Sequence, residues 1–207
     1  MLREDIKRNI LQKIDEISPY SNTDEQWDLL IEGMLDDMAN RYMSIIPISW
    51  INGYTDPFTA LVPQWDLRHG VAYWYDTAYA YLPEDFNRII SVGCIHFRRL
   101  ITGEEIRTTD SGEFNRQFDR HTRAGVAKPK AFIGEGRRIT VCPFKNHWNI
   151  NDLHIEYIKK ISAEEMPDRV LDGFFYYTAS AVLTSKQQEN FAKVMMEKCN
   201  EFLAIKQ

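Results

Sequence analysis

Apolar positions recur at helical spacing at both ends of the chain and at strand spacing between them. Residues 2–17 carry Leu2, Ile6, Ile10, Leu11, Ile14 and Ile17 in steps that predict an amphipathic helix. It ends before Pro19, whose ring disfavours helix in the residue ahead of it. Thr23 and Gln26 form a capping-box pattern, and Trp27, Leu30, Ile31, Met34, Leu35, Met38 and Tyr42 make a second apolar stripe behind it. The first 45 residues therefore read as a helical hairpin. At the other end, Val170, Leu171, Phe174, Phe175, Thr178 and Val182 predict a helix over 168–183. Phe191, Val194, Met195, Cys199, Phe202 and Leu203 predict another over 185–204, capped by Thr184 or Ser185.

Between these ends the pattern changes. Pro47, Gly53, Pro57 and Pro63 interrupt the chain with turn chemistry, and residues 58–76 stay open between helix and strand. Tyr79 and Tyr81 alternate around Ala80, and residues 87–101 read as one long strand. Asp110 and Glu113 suggest a capping box opening a helix with Phe114 and Phe118, closed by Gly125. "AFIGEGRRITV" is a hairpin signal across Gly134-Glu135-Gly136, and "LHIEYIKK" supplies a further strand. Helices, then strands, then helices predict an α+β fold. Its terminal helices form a bundle, with a mostly antiparallel sheet inserted between them.

Composition narrows the class. A chain of 207 residues with 44% hydrophobic and 27% charged residues is of ordinary globular type and can bury a core unaided. No run of about 18 apolar residues predicts a membrane span, and the charged start is unlike a signal peptide. Cys94, Cys142 and Cys199, odd in number and set among apolar residues, predict buried free thiols in a reducing compartment. Net charge is −5 but unevenly spread. Residues 1–40 hold 4 Lys/Arg against 10 Asp/Glu, and residues 98–145 hold 11 against 6. Two faces of opposite sign follow.

Catalytic and metal signatures are weak. Cys94 with His96, and Cys142 with His147, could nominally offer four ligands, but no closely spaced cysteine pair supports a structural zinc site. "GEGRR" lacks phosphate-loop spacing, and Glu84 and Asp85, adjacent on an extended chain, point apart. No cofactor is expected. In "AYLPEDFNRIISV", Pro83 presets φ for the second position of a tight turn, and Asp85 can accept backbone N–H bonds. Leu82 and Phe86 anchor the two sides in the core. The basic middle includes Arg116, Arg120, Arg123, Arg137 and Arg138, candidates for contact with a neighbouring subunit or with phosphate. Phosphate contact would be independent of base sequence, since no base-reading module is visible.

The run Tyr79, Tyr81, Leu82, Pro83, Asp85, Phe86 followed by a strand resembles the corner of head-to-tail connector proteins of short-tailed phages. These are the adaptor, head-completion or tail tubular protein A type. The likeness continues through "HTRAGVAKPKAFI", "ITVCP" and "LHIEYIKK" to the closing helices. The polar, Asn- and Lys-containing style is similar to the portal-docking ring proteins of crAss-like phages. The resemblance implies one connector-type domain over 1–207, helical at 1–46 and 167–207, β-rich at 70–160, with a lineage-specific insertion at 47–69. It implies a virion protein without a catalytic step, made in the bacterial cytoplasm and resident at the head–tail junction. Its partners would be further copies in a ring of about twelve, the portal protein, further tail proteins, and double-stranded DNA passing through the channel. A second-layer tail ring, and a small hydrolase with acidic residues on the sheet, are the alternatives.

Overall fold

A computed structural model describes residues 1–17, 25–51, 55–59, 64–65, 76–117, 122, 124–125, 127–144 and 153–205. In chain order the elements are α1 (Arg3–Asp15), α2 (Glu25–Ile45), β1 (Thr55–Thr59), β2 (Gln64–Trp65), β3 (Asp76–Tyr81), β4 (Phe86–Cys94) and β5 (Ile101–Thr102). Then come β6 (Arg107–Thr108), α3 (Gly112–Arg116), β7 (Lys130–Gly134), β8 (Arg138–Phe144), β9 (Leu153–Lys159), α4 (Leu171–Ser185) and α5 (Glu189–Ile205). The fold is α+β. Met1–Gly53 and Lys160–Gln207 form one compact unit, and Tyr54–Lys159 form the other.

The helical unit is built around α4. Ile6, Ile10 and Ile14 of α1 and Ile31, Leu35, Ala39 and Met43 of α2 are fully buried. On α4, Leu171, Phe174, Phe175, Thr178, Ala179, Val182 and Leu183 are buried around most of its circumference, the pattern of a central helix. Tyr42 packs on Phe174 and Tyr177 with ring centroids 5.9 and 5.4 Å apart. Gly173 makes this packing possible: the Tyr42 hydroxyl and the Phe202 ring occupy the space where a Cβ would stand.

The end of α4 differs from the sequence expectation. Thr184 and Ser185 do not cap α5; their hydroxyls donate to the carbonyls of Ser180 and Ala181 and keep them in α4. Gln187, with φ of 60°, stops the helix in the left-handed region. Its N–H donates to Thr184 O and that of Gln188 to Leu183 O, a Schellman closure. The following helix then presents Ala192, Met195 and Cys199 to the core, while Phe191 and Val194, expected inside, are exposed.

The chain returns from the β unit onto a set of polar contacts. Asn40 Nδ2 donates to Ile161 O at 3.1 Å, and its Oδ1 accepts the Ile161 N–H at 2.9 Å. Asp36 accepts the Ala163 N–H at 2.9 Å. Arg3 bridges Glu32 at 2.5 Å and Asp36 at 3.1 Å, and the buried Lys7 meets Glu4, Asp28 and Glu32 at 2.8–3.4 Å. The Arg3 hydrogen bond holds the Glu32 carboxyl below its usual range. Burial pushes Asp36 the other way, but the Ala163 N–H and Arg3 outweigh it and lower its pKa.

The β unit holds two sheets where one was expected, ordered β1-β9-β4-β5 and β2-β3-β8-β7-β6. Pairing is antiparallel except between β6 and β7. One buried cluster draws Ile89, Val92 and Ile155 from the first sheet and Ala131, Ile139 and Val141 from the second. The segment 47–69, read as an insertion, supplies β1 and β2 to the two sheets and a 3₁₀ turn at Ile48–Trp50. The strand expected over 87–101 stops at Cys94 because Phe97 turns back, its N–H on Cys94 O at 2.9 Å and its ring edge-on to Phe144. Ser111, not Asp110, stands at the start of α3, with its hydroxyl on Thr108 O.

Two outcomes test this packing. Gly173→Ala lowers the unfolding free energy by about 1–3 kcal/mol, the usual cost of overpacking, read by urea denaturation. Glu32 and Asp36 have folded pKa values below their unfolded ones, so their stabilisation is present above about pH 4. It is lost as pH falls below that value. Asp36→Asn keeps an acceptor for Ala163 but flattens the acid limb of a plot of denaturation midpoint against pH.

Candidate functional site

The Leu82–Pro83 corner is where the chain leaves the five-stranded sheet at Tyr81 and enters the four-stranded sheet at Phe86. Its turn bond runs from Phe86 N–H to Pro83 O at 3.2 Å, so Pro83 takes the first position, not the second. The frame is fixed one residue earlier, where Leu82 N–H donates to Arg137 O at 2.9 Å. Asp85 receives the Tyr157 hydroxyl at 3.3 Å in place of the expected backbone N–H groups. Leu82 is buried and Phe86 half-buried against the Tyr157 ring, 6.1 Å between centroids. Tyr81 is exposed; the Tyr79 side chain lies outside the described residues.

The corner gathers two of the candidate arginines. Arg137 sits in the hairpin tip Glu135–Arg137, where both it and Gly136 have φ of 63°. Its guanidinium is 3.8 Å from Glu84. Arg138 pairs with Tyr81 across β3 and β8. Arg116 lies exposed on α3, and Arg120 and Arg123 fall outside the described residues. The basic middle is partly neutralised where it stands. Arg99 makes two bonds to Glu105, at 2.9 and 2.5 Å, and Lys130 pairs with Glu113.

Two features escaped the sequence reading. The first is the loop 95–100, where Ile95 and Leu100 are exposed beside Arg98 and Arg99. The string "IHFRRL" carried the signal, but extending the strand through it hid which side chains face outward. The second is an open cleft of about 480 Å³ floored by Phe86, Ile89, Ile106 and Ile133, with Arg88 and Arg107 at its lining. Arg107 is braced by its own loop, Nη1 donating to Glu104 O at 2.6 Å.

Among the described residues, the structure moves the titration of groups in the α1–α2 ion cluster, of the Arg99–Glu105 pair, and of buried core groups. Burial pushes the Cys142 thiol up to about 12 and Cys199 to about 11, so both stay protonated and unreactive near neutrality. Among the described residues, no cluster of His, Cys, Asp and Glu has metal-binding geometry. None of their helices is long and apolar enough to cross a membrane. No protein-family model matches the chain, and no curated protein matches it.

The hairpin tip that anchors the corner depends on a left-handed backbone. Gly136→Ala therefore costs about 1 kcal/mol in a urea titration. Gly112→Ala, in α3 with open space around the added carbon, is neutral or stabilising.

Proposed function

We propose that this chain is a structural subunit of a phage head-to-tail connector, assembling as a ring beneath the portal and continuing the DNA channel. The observation that carries the reading is the loop 95–100. It is held by main-chain bonds, by Phe97 on Phe144 and by the Arg99–Glu105 pair, yet it presents Ile95 at 72% and Leu100 at 57% exposure. Two large apolar side chains held outward on one short loop are surface that a macromolecular partner would cover with gain, which supports this reading. The α+β layout, with a β unit inserted between helices from both ends, agrees with what the sequence resemblance implies. So does the Leu82–Pro83 corner, which passes the chain between sheets and needs no chemistry.

A closed ring requires two different patches on each copy, related by a rotation that returns to its start. The acidic α1–α2 surface and the basic, apolar loop supply patches of unlike character. Arg137 at the hairpin tip and Arg138 at the start of β8 are the candidates for phosphate in the channel.

Mass photometry tests the assignment, using the purified 24.3 kDa chain alone and mixed with the portal ring encoded by the same genome. The expected result is a monomer alone and a portal carrying about twelve added copies in the mixture. A ring that forms unaided and ignores the portal moves the protein to a later tail layer. A monomer in both samples overturns the connector reading and returns the cleft to consideration as an enzyme site.

A further inference from the structure

We propose that the loop 95–100 of one copy seats on the α2 surface around Leu29 of a second copy. This names the head-to-tail contact and rests on the ring reading above. The donor side is preorganised. Phe97 N–H bonds Cys94 O and Arg98 N–H bonds Ala127 O, each at 2.9 Å, and the Leu100 side chain lies over Gly93. Docking such a loop orders little that is not already ordered, which lowers the entropic cost of association. Its exposed side chains are two aliphatics and two arginines; Arg99 is paired with Glu105 at 2.9 and 2.5 Å, so Arg98 carries the loop's uncancelled charge.

The acceptor side is chosen by charge. The helical unit exposes several large apolar residues, and Leu29 at 72% is among the most exposed. It stands on a helix with five acids, Glu25, Asp28, Glu32, Asp36 and Asp37, against the single cation Arg41. Internal pairing does not cancel this surface, because Arg3 and Lys7 are shared among Glu4, Asp28, Glu32, Asp36 and Glu164. Two cations face five carboxylates. Gly33, one turn beyond Leu29 with open space at its Cβ position, leaves room beside the leucine for an incoming aliphatic side chain. The competing apolar pair, Phe191 and Val194 on α5, is flanked by Glu189, Lys193, Glu197 and Lys198 and offers no preference of sign.

Apolar contact of Ile95 and Leu100 with Leu29 supplies the attraction. Arg98 above an acidic helix sets orientation and encounter rate. Because loop and helix surface are different patches, the contact is heterologous and propagates around a ring.

Cross-linking tests it. One full-length chain carries Leu29→Cys and another Ile95→Cys; both positions are exposed. The two are mixed in the presence of the portal ring and treated with a flexible bis-maleimide, with the unsubstituted chain measuring the background from the three buried native cysteines. A covalent dimer in the mixture, absent from either variant alone, is the expected result, with a ladder of higher species when both substitutions share one chain. Its yield falls as salt is added, as screening of the charged rim requires. Leu29→Lys, by removing the apolar contact and placing a cation under Arg98, weakens assembly about tenfold. If mass photometry shows assembly on the portal but the mixture cross-links no better than background, or if Leu29→Lys assembles normally, this contact is wrong and the ring reading stands. If no variant and no unsubstituted chain assembles, the ring reading itself fails.

Discussion

Asn40 holds both main-chain polar groups of Ile161, and the rest of the helical unit depends on that grip. The chain leaves the helices after Gly53 and rejoins them at Lys160, so the two helical ends must be brought together across an entire β unit. Neither α1 nor α2 can bury its apolar stripe without α4, whose surface is buried nearly all round. The returning strand must therefore arrive in one register, and a pair of hydrogen bonds to a single peptide unit specifies it where apolar contact alone would tolerate slippage. Each such bond contributes only about 1 kcal/mol net. Its larger effect is that a shifted return would leave Asn40 and Asp36 facing buried backbone they cannot satisfy. The capping box of Ser162 with Glu165 then starts the 3₁₀ turn that leads toward α4.

The β unit solves a related problem by a different route. Its two sheets share one buried cluster, so the chain has to cross between them without exposing strand edges to the core. The corner does this by borrowing a carbonyl from the neighbouring hairpin, Arg137 O, for the N–H of Leu82. That carbonyl is available because Gly136 and Arg137 take left-handed backbone at the tip. A proline, a glycine and a buried leucine thus fix one crossing between them, and Arg137 is held near Glu84 as a consequence of backbone geometry.

Periodicity made the helices legible because the 3.6-residue repeat is long and each stripe spans several turns. Trp27, Leu35 and Tyr42 could be assigned to the core on spacing alone, and so could Phe174 and Val182. Phe191 and Val194 could not, since their exposure follows from where Gln187 ends α4, and no periodic signal marks a left-handed glutamine. The strand reading failed at Phe97 for a similar reason: an aromatic residue can anchor a turn as well as a strand, and only Phe144 across the core decides. The corner was readable as a corner, but its frame was not. The bond that sets it comes from a residue more than fifty positions away.

Charge completes the account of what such a chain can do with its surfaces. Copies that each carry a net −5 repel at long range, so repeated association needs local patches whose sign departs from the average. Counting residues placed an excess of acids at the start and of bases in the middle, but pairing decides how much of each remains available. Arg99 is committed to Glu105 and Lys130 to Glu113, so the middle presents fewer free cations than its composition suggests. The α1–α2 surface is different in kind, because its cations are outnumbered within the ion cluster itself. An acidic surface that its own cations cannot neutralise, on one unit, and an apolar loop that carries Arg98, on the other, are unlike patches on one chain. A heterologous contact requires unlike patches of this kind, whereas a twofold dimer sets one patch against itself.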